Sequence, residues 1–349
     1  MLIRSSRIAG LAAVTLTASL TLTACGKGAG DSSSSGSGSS SGSSSKTATV
    51  TFIPKNLGNP YFDTSDAGGA KAVKEFGGKY SQVGPQEASA DAQSQYIDTE
   101  AQKRTSAIVL SANDPTALGD SLTKARQAGT KVVTFDSDTD PKYRDLFINQ
   151  ATADGIAKVE VDMVTQQIGD SGEVAILSAS ANATNQNAWI ALMKKDLAAN
   201  HPKVKLVETV YGNDDDQTSF DKTAALLQKH PQLKGIISPT TVGIAAAARY
   251  LSKSSSKGKV ALTGLGTPNQ MRAYVKDGTV TEFALWNPED LGYLAAYAAD
   301  ALVTGKVTGK EGQKFKAGKL GEFTVGANGT VVLGDPFKFN KSNIDKFKF

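Results

Sequence analysis

The constraint that bears hardest on this chain is an alternation. Short apolar runs recur at 107–110 (AIVL), 131–135 (KVVTF), 173–177 (EVAIL), 204–210 (VKLVETV), 235–238 (GIIS), 259–266 (KVALTGLG) and 279–286 (TVTEFALW). Helical stretches lie between them, at 91–104, 115–128, 184–199, 217–229, 241–252 and 288–304. A chain written this way folds as parallel sheets covered by helices on both faces, an α/β architecture. A closed barrel shares the alternation. Against it, 146–163 (LFINQATADGIAKVEVDM) reads as a short strand and then a new helix, which breaks the rhythm near mid-chain. That break marks a first crossing between two lobes.

The unit at 49–76 shows where function would sit. Residues 49–53 are β-branched and aromatic and end at Pro54, as a buried strand does. Pro60 suits a first helical turn and Gly77-Gly78 closes the helix. The loop between carries Lys55, Asn56 and Asn59, with Tyr61 and Phe62 just inside the helix. In an open parallel sheet such a loop lies at the carboxyl edge, where ligands bind.

The other strand ends repeat this chemistry. They carry Asp136, Ser137 and Asp138, then Asn185, Gln186 and Asn187, then Pro239, Thr240 and Thr241, and finally Trp286 and Asn287. These groups are mostly neutral, with carboxylates at the one strand end that carries Asp136 and Asp138 and one lysine at Lys55. No arginine cluster accompanies them, so a neutral polyol fits better than a phosphate. Phe62 and Trp286 would flank the apolar faces of a sugar ring. Trp286 reads equally well as a core tryptophan, and Asn185 and Gln186 as helix-capping residues.

Composition removes most catalytic classes. The two histidines, His201 and His230, each precede a proline at a helix C-terminus, a structural setting. Cys25 is the single cysteine, which leaves no thiol nucleophile, no metal cluster and no Ser-His-Asp triad in the body. No phosphate-binding or dinucleotide-binding glycine motif is present. Paired carboxylates, Asp136 with Asp138 or Glu289 with Asp290, are the remaining enzymatic option, a surface-anchored sugar-active enzyme. Residues i and i+2 at a strand end do not converge across a scissile bond, so the reading is a non-enzyme without cofactor or metal.

Residues 1–24 read as an export signal: Arg4 and Arg7 precede an apolar run from Ile8 to Leu22 that is too short for a stable membrane span. The run closes on Leu22-Thr23-Ala24-Cys25, which resembles the bacterial lipoprotein signal, and the resemblance implies a lipid on Cys25. Residues 25–46 are Gly and Ser with little else, a flexible tether with a reach of roughly 25 Å. The body that follows is long enough for two lobes. The net charge of +4 (38 basic, 34 acidic) falls to +2 without Arg4 and Arg7, and no basic stripe with interleaved aromatics appears. Nucleic acid is therefore excluded as a partner. A ligand-sensing regulator would need a DNA-reading helix-turn-helix where this chain has a signal and a serine tract.

From FIPKNLGNPYF through VVTFDSDT, INQAT, TNQNAW, IISPTTVGIAAAA and GLGTPNQMRAYVKDGTVTEFALWN to FNKSNIDKF, residues 49–349 resemble the sugar-binding lipoproteins of bacterial ABC importers. Within them the chain is similar to the rhamnose-binding and autoinducer-2-binding branch. The resemblance implies a type I periplasmic-binding fold, two Rossmann-like lobes with three hinge crossings that close around ligand. It implies lobes at 47–150 plus 282–308 and at 151–281 plus 309–349, with crossings near 149–152, 279–282 and 308–325. It further implies a monomer that meets ABC permease and ATPase subunits, exported and lipid-anchored outside the cell membrane. The signal-binding members use a lysine, two aspartates, a glutamine, a proline and a small alanine. Lys55, Asp136, Gln186 and Pro239 match; the second aspartate is Asn185 and the alanine is Thr241. That departure implies a deoxy-sugar such as rhamnose rather than autoinducer-2, with Asn59, Tyr61, Phe62, Trp286 and Asn287 completing the site.

Overall fold

The computed structural model describes residues 47–349. The expected export signal (1–24), Cys25 and the expected tether (25–46) lie outside the described residues. The first parallel sheet is built from β1 (Thr49–Ile53), β2 (Lys79–Gln82), β3 (Ala107–Leu110), β4 (Lys131–Phe135) and β5 (Leu146–Asn149), linked by α1 (Pro60–Glu75), α2 (Ala90–Lys103) and α3 (Gly119–Gln127). The chain then crosses into α4 (Ala153–Ile168), β6 (Gly172–Ser178), α5 (Thr184–Asn200), β7 (Val204–Tyr211), α6 (Asp216–Lys229), β8 (Leu233–Ser238), α7 (Thr241–Leu251), β9 (Ala261–Gly264), α8 (Pro268–Lys276) and β10 (Glu282–Leu285). It returns through α9 (Pro288–Val303), β11 (Lys314–Lys316), β12 (Glu322–Thr324) and β13 (Thr330–Val332), and ends beyond β14 (Phe337–Asn340). Strand order is β13-β5-β4-β3-β1-β2 in the first sheet and β7-β6-β8-β9 in the second, every neighbouring pair parallel.

The apolar runs explain why both faces are covered. In β1, β3 and β4 successive side chains go to opposite faces. Phe52, Val109, Val133 and Phe135 join the larger core, under α1 and α9, while Ile53, Ile108, Leu110 and Val132 pack with Ile97 of α2 and Leu122 of α3. A strand buried on both sides reads as a continuous apolar run. Polar strands escape that signal. The edge strand β2 (KYSQ), the short β11 to β14 and the helix α8 were not foreseen, because none carries such a run.

The lobe boundaries expected after residue 281 are corrected by backbone pairing. Expected in the first lobe, β10 instead pairs antiparallel with β14 and bridges Leu265, beside the second sheet. Expected in the second lobe, β13 instead forms the edge of the first sheet against β5. By sheet membership, the chain passes between the two sheets at 150–152, at 286–287 and at 333–336. Short three- and four-residue strands carry too little pattern to declare which sheet they extend.

In the first sheet the strand order reverses between β1 and β3, and in the second between β6 and β8. At such a reversal adjacent loops turn to opposite faces and leave a crevice beyond the carboxyl ends of the strands. Gly264 shows how tightly the second sheet ends are built: its φ of +142° is open to glycine, and a Cβ there would strike the backbone of Ser238.

Candidate functional site

The two crevices face each other across one cavity of about 40 Å³. Its lining draws Lys55, Asn59, Tyr61 and Phe62 from the β1–α1 unit and Asp136 from the end of β4. The second lobe adds Asn185, Gln186 and Trp189 from α5, Asp214 from beyond β7, and Pro239, Thr240 and Thr241 from beyond β8. Leu265, Leu285 and Trp286 close it at the crossing.

Each polar group is aimed by its own element. Asn59 caps α1, its Oδ1 accepting from the Tyr61 N–H at 3.1 Å, so its amide nitrogen remains for the cavity. Gln186 is held the same way: its Oε1 accepts from Ser178 Oγ at 2.6 Å and from the Ala179 N–H at 2.8 Å, which leaves the amide as a donor. Asp136 sits at φ +60°, a left-handed conformation that strand ends rarely impose on a non-glycine residue. Its Oδ2 accepts from Ser111 Oγ at 2.7 Å.

Lys55 binds the lobes to each other. Its Nζ lies 3.9 Å from Asp136 Oδ2 and donates across the cleft to Asn185 Oδ1 at 3.3 Å. Asn185 returns a bond from Nδ2 to the Asp136 carbonyl at 3.4 Å. Behind the loop, fully buried Gln93 donates to the carbonyls of Pro54 and Ser111 at 2.9 and 2.8 Å. Its Oε1 takes the Asn113 N–H at 2.9 Å, and Asn113 Nδ2 holds the Lys55 carbonyl at 2.9 Å. This support was missed in the sequence, where Gln93 reads as one more polar helix residue.

Aromatic rings make the apolar walls. Tyr61 meets Phe62 edge-on at 5.1 Å and Trp286 at 6.1 Å, and Trp286 meets Trp189 at 6.2 Å. The indole N–H of Trp286 donates to the Tyr61 hydroxyl at 3.0 Å. Burial first, and the Asp136 charge second, raise the Tyr61 phenol well above its ordinary range, so it stays neutral.

Of the expected site residues only Asn287 stands outside the cavity. It caps α9, accepting from the Glu289 N–H at 3.0 Å and donating to Asp290 Oδ2 at 2.8 Å. Asp214 was not foreseen. It stands in a run of three aspartates that reads as a solvated turn, and only the meeting of the lobes brings it inside. Neither carboxylate pair weighed for hydrolysis spans the cavity. Asp138 is gripped by Arg144 through two bonds of 2.7 Å. Glu289 pairs with Lys71 and Asp290 with Lys319 outside it. His201 and His230 cap α5 and α6 and pair with Asp170 and Glu208, away from the site. Among the described residues no group of side chains could hold a metal ion, and no helix is long and apolar enough to cross a membrane.

Paired doubly wound lobes with one small cavity between their strand ends define a class of two-lobed solute-binding proteins. The chain belongs to the family described as the periplasmic binding protein domain, whose model matches residues 50–307. It is similar to the solved structure of a sugar ABC transporter from Actinomyces odontolyticus, at 56% identity and a TM-score of 0.71, covering 86% of this chain and 98% of that one. A solute-binding protein of an ABC transporter from Clostridium phytofermentas, solved with bound L-rhamnose, is 39% identical with a TM-score of 0.84, over 86% and 98% of the two chains. LsrB from Clostridium saccharobutylicum, in complex with AI-2, is 27% identical with a TM-score of 0.82, over 86% and 100%. The α/β fold expected from the alternation is the type I periplasmic-binding fold of these structures.

Proposed function

We propose that this protein is the solute receptor of an ABC sugar importer, that it holds one monosaccharide in the inter-lobe cavity, and that L-rhamnose is the favoured ligand. The observation that carries the reading is the cavity itself. It joins amide and hydroxyl groups, a lysine beside a carboxylate, and aromatic walls, drawn from both lobes around one enclosed space. Ring hydroxyls would meet Lys55, Asp136, Asn185 and Gln186, with Asn59 and Thr241 beside them and Pro239 shaping the floor. The methyl group would lie against Tyr61, Phe62 and Trp286. The similarity to the rhamnose-bound structure supports this choice of sugar. No bond is made or broken: greater affinity of the closed form for ligand drives closure, and a permease then reads the closed surface. Export and a lipid on Cys25 would keep the receptor, a monomer, at the outer face of the cell membrane within reach of the permease.

A second reading is a receptor for autoinducer-2, favoured by the similarity to the AI-2 complex. Asn185 and Thr241 argue against it, since an amide accepts less strongly than a carboxylate and Thr adds volume to a small site. Calorimetry with both ligands decides. Rhamnose should bind at least about tenfold tighter, a gap of about 1.4 kcal/mol. Asn185→Asp with Thr241→Ala should narrow that gap. Equal affinities would overturn the ranking, and binding of neither ligand would overturn the sugar assignment. A thermal-shift panel of monosaccharides supplies an independent check, because a ligand at 100 times its Kd adds about 2.7 kcal/mol of stability.

A further inference from the structure

Asp214 is the one carboxylate of the cavity that the reading above leaves without a task. It follows Asn213 in a turn beyond β7, and both residues are left-handed, at φ +51° and +56°. Two consecutive non-glycine residues in that region are strained, and such strain persists where the surroundings demand it. The turn points the carboxyl inward. Asp214 Oδ1 accepts from the Thr240 hydroxyl, and among the described residues Oδ2 accepts no hydrogen bond. Asp214 lines the cavity with Lys55 and Asp136 and also lines the larger groove outside it, so it forms part of the wall between them.

A carboxylate has room for about four hydrogen bonds. Asp214, half-buried with a single protein partner, has given up part of its water, and that desolvation holds its carboxyl above the usual range, with Lys55 and the Thr240 bond opposing and Asp136 reinforcing the shift. A ligand donating hydroxyls to Oδ2 would recover what desolvation removed. The charge count of the cavity changes accordingly. With Asn185 in place of an aspartate, the second lobe would lack an anionic acceptor at α5, and Asp214 supplies one from beyond β7 instead.

We propose that Asp214 is the second lobe's carboxylate for ligand and sets selectivity for sugars whose neighbouring hydroxyls reach both it and Asp136. Because the two carboxylates belong to opposite lobes, a sugar bridging them is sensed fully only with the cleft closed. This rests on the reading of the chain as a monosaccharide receptor. Thr240 is a positioning residue, since it acts by holding Oδ1.

Calorimetry on the full chain with L-rhamnose, D-arabinose and autoinducer-2 tests the assignment, with Asp214→Asn and Thr240→Val beside the wild type. For the sugar that the wild type binds best, Asp214→Asn should lose about tenfold or more in affinity, as expected for a charge-assisted bond made neutral. The ligand-free melting temperature should hold or rise. Thr240→Val should lose less, about three- to tenfold, with its ranking of the sugars moved toward that of Asp214→Asn. Wild-type affinity in Asp214→Asn overturns the assignment and leaves the receptor reading intact. If Asp214→Asn does not fold, unchanged affinity and ranking in Thr240→Val overturn it. A wild type that binds none of the three sugars overturns the receptor reading, and this assignment with it.

Discussion

Single residues in this molecule owe their behaviour to neighbours far away in sequence. Asp66 is a surface-type residue by composition, yet α1 turns it inward, where Gln82 Nε2 and Ser65 Oγ donate to its carboxylate. Burial pushes that carboxyl up to about 7, against the pull of those two bonds. The folded state therefore holds a proton that the unfolded chain releases near pH 4, and stability falls as pH rises from about 4 to 7. The full contribution is at most about 4 kcal/mol, present below pH 4 and lost above 7. Asp66→Asn should flatten the pH dependence of the melting temperature over that window; an unchanged slope would show that other groups carry it. Nothing in the local sequence marks Asp66, since the desolvation comes from packing.

At the scale of elements, the contact of α1 with α9 joins residues more than two hundred positions apart. It is a crossing of small residues. A Cβ added at Gly68 would collide with the Glu289 carbonyl, and one at Gly292 with the Ser65 carbonyl. Backbone cannot yield as a flexible side chain can, so Gly292→Ala should destabilise the body by about 3 kcal/mol or more. Denaturant unfolding measures it, and a loss under about 1 kcal/mol would mean the helices part easily. Both glycines sit inside helical pattern, where the sequence shows only poor helix formers. The elements themselves were largely legible, because α2, α4, α5, α6 and α9 show amphipathic or apolar stretches long enough to read. The strands β11 to β14 were not, because three or four residues of mixed polarity specify neither a strand nor its partner.

For the whole molecule, ligand capture depends on the two lobes meeting, and the tryptophans report it. Trp189 comes from the second lobe and Trp286 from the second crossing, with their rings 6.2 Å apart and Trp286 bonded to Tyr61 of the first lobe. A sugar entering the cavity should change the intrinsic fluorescence. Trp286→Phe should reduce the signal and weaken binding by about 1–3 kcal/mol through the lost ring contact and the Tyr61 bond. Full signal and affinity in that variant would place the ligand elsewhere. The proposed anchoring is tested separately: Cys25→Ser should release the body from the membrane fraction or leave an unprocessed precursor, and unchanged anchoring would refute the lipid.

What the sequence determined by itself was the alternation and, through it, the class. A doubly buried parallel strand must be apolar throughout, and its following loop must be polar, so strand ends such as Lys55, Asp136, Asn185 and Pro239 could be read directly as a shared edge. Tertiary structure decided which of those ends converge. It turned Asp138 toward Arg144 and Asn287 into a helix cap, and it brought Asp214 inside from a run of aspartates that looks solvent-facing. It also assigned β13 and β10 to their sheets. The physical reason is the same in each case: a backbone pattern is local and periodic, whereas burial of a charge or pairing of a short strand depends on which distant surface arrives beside it.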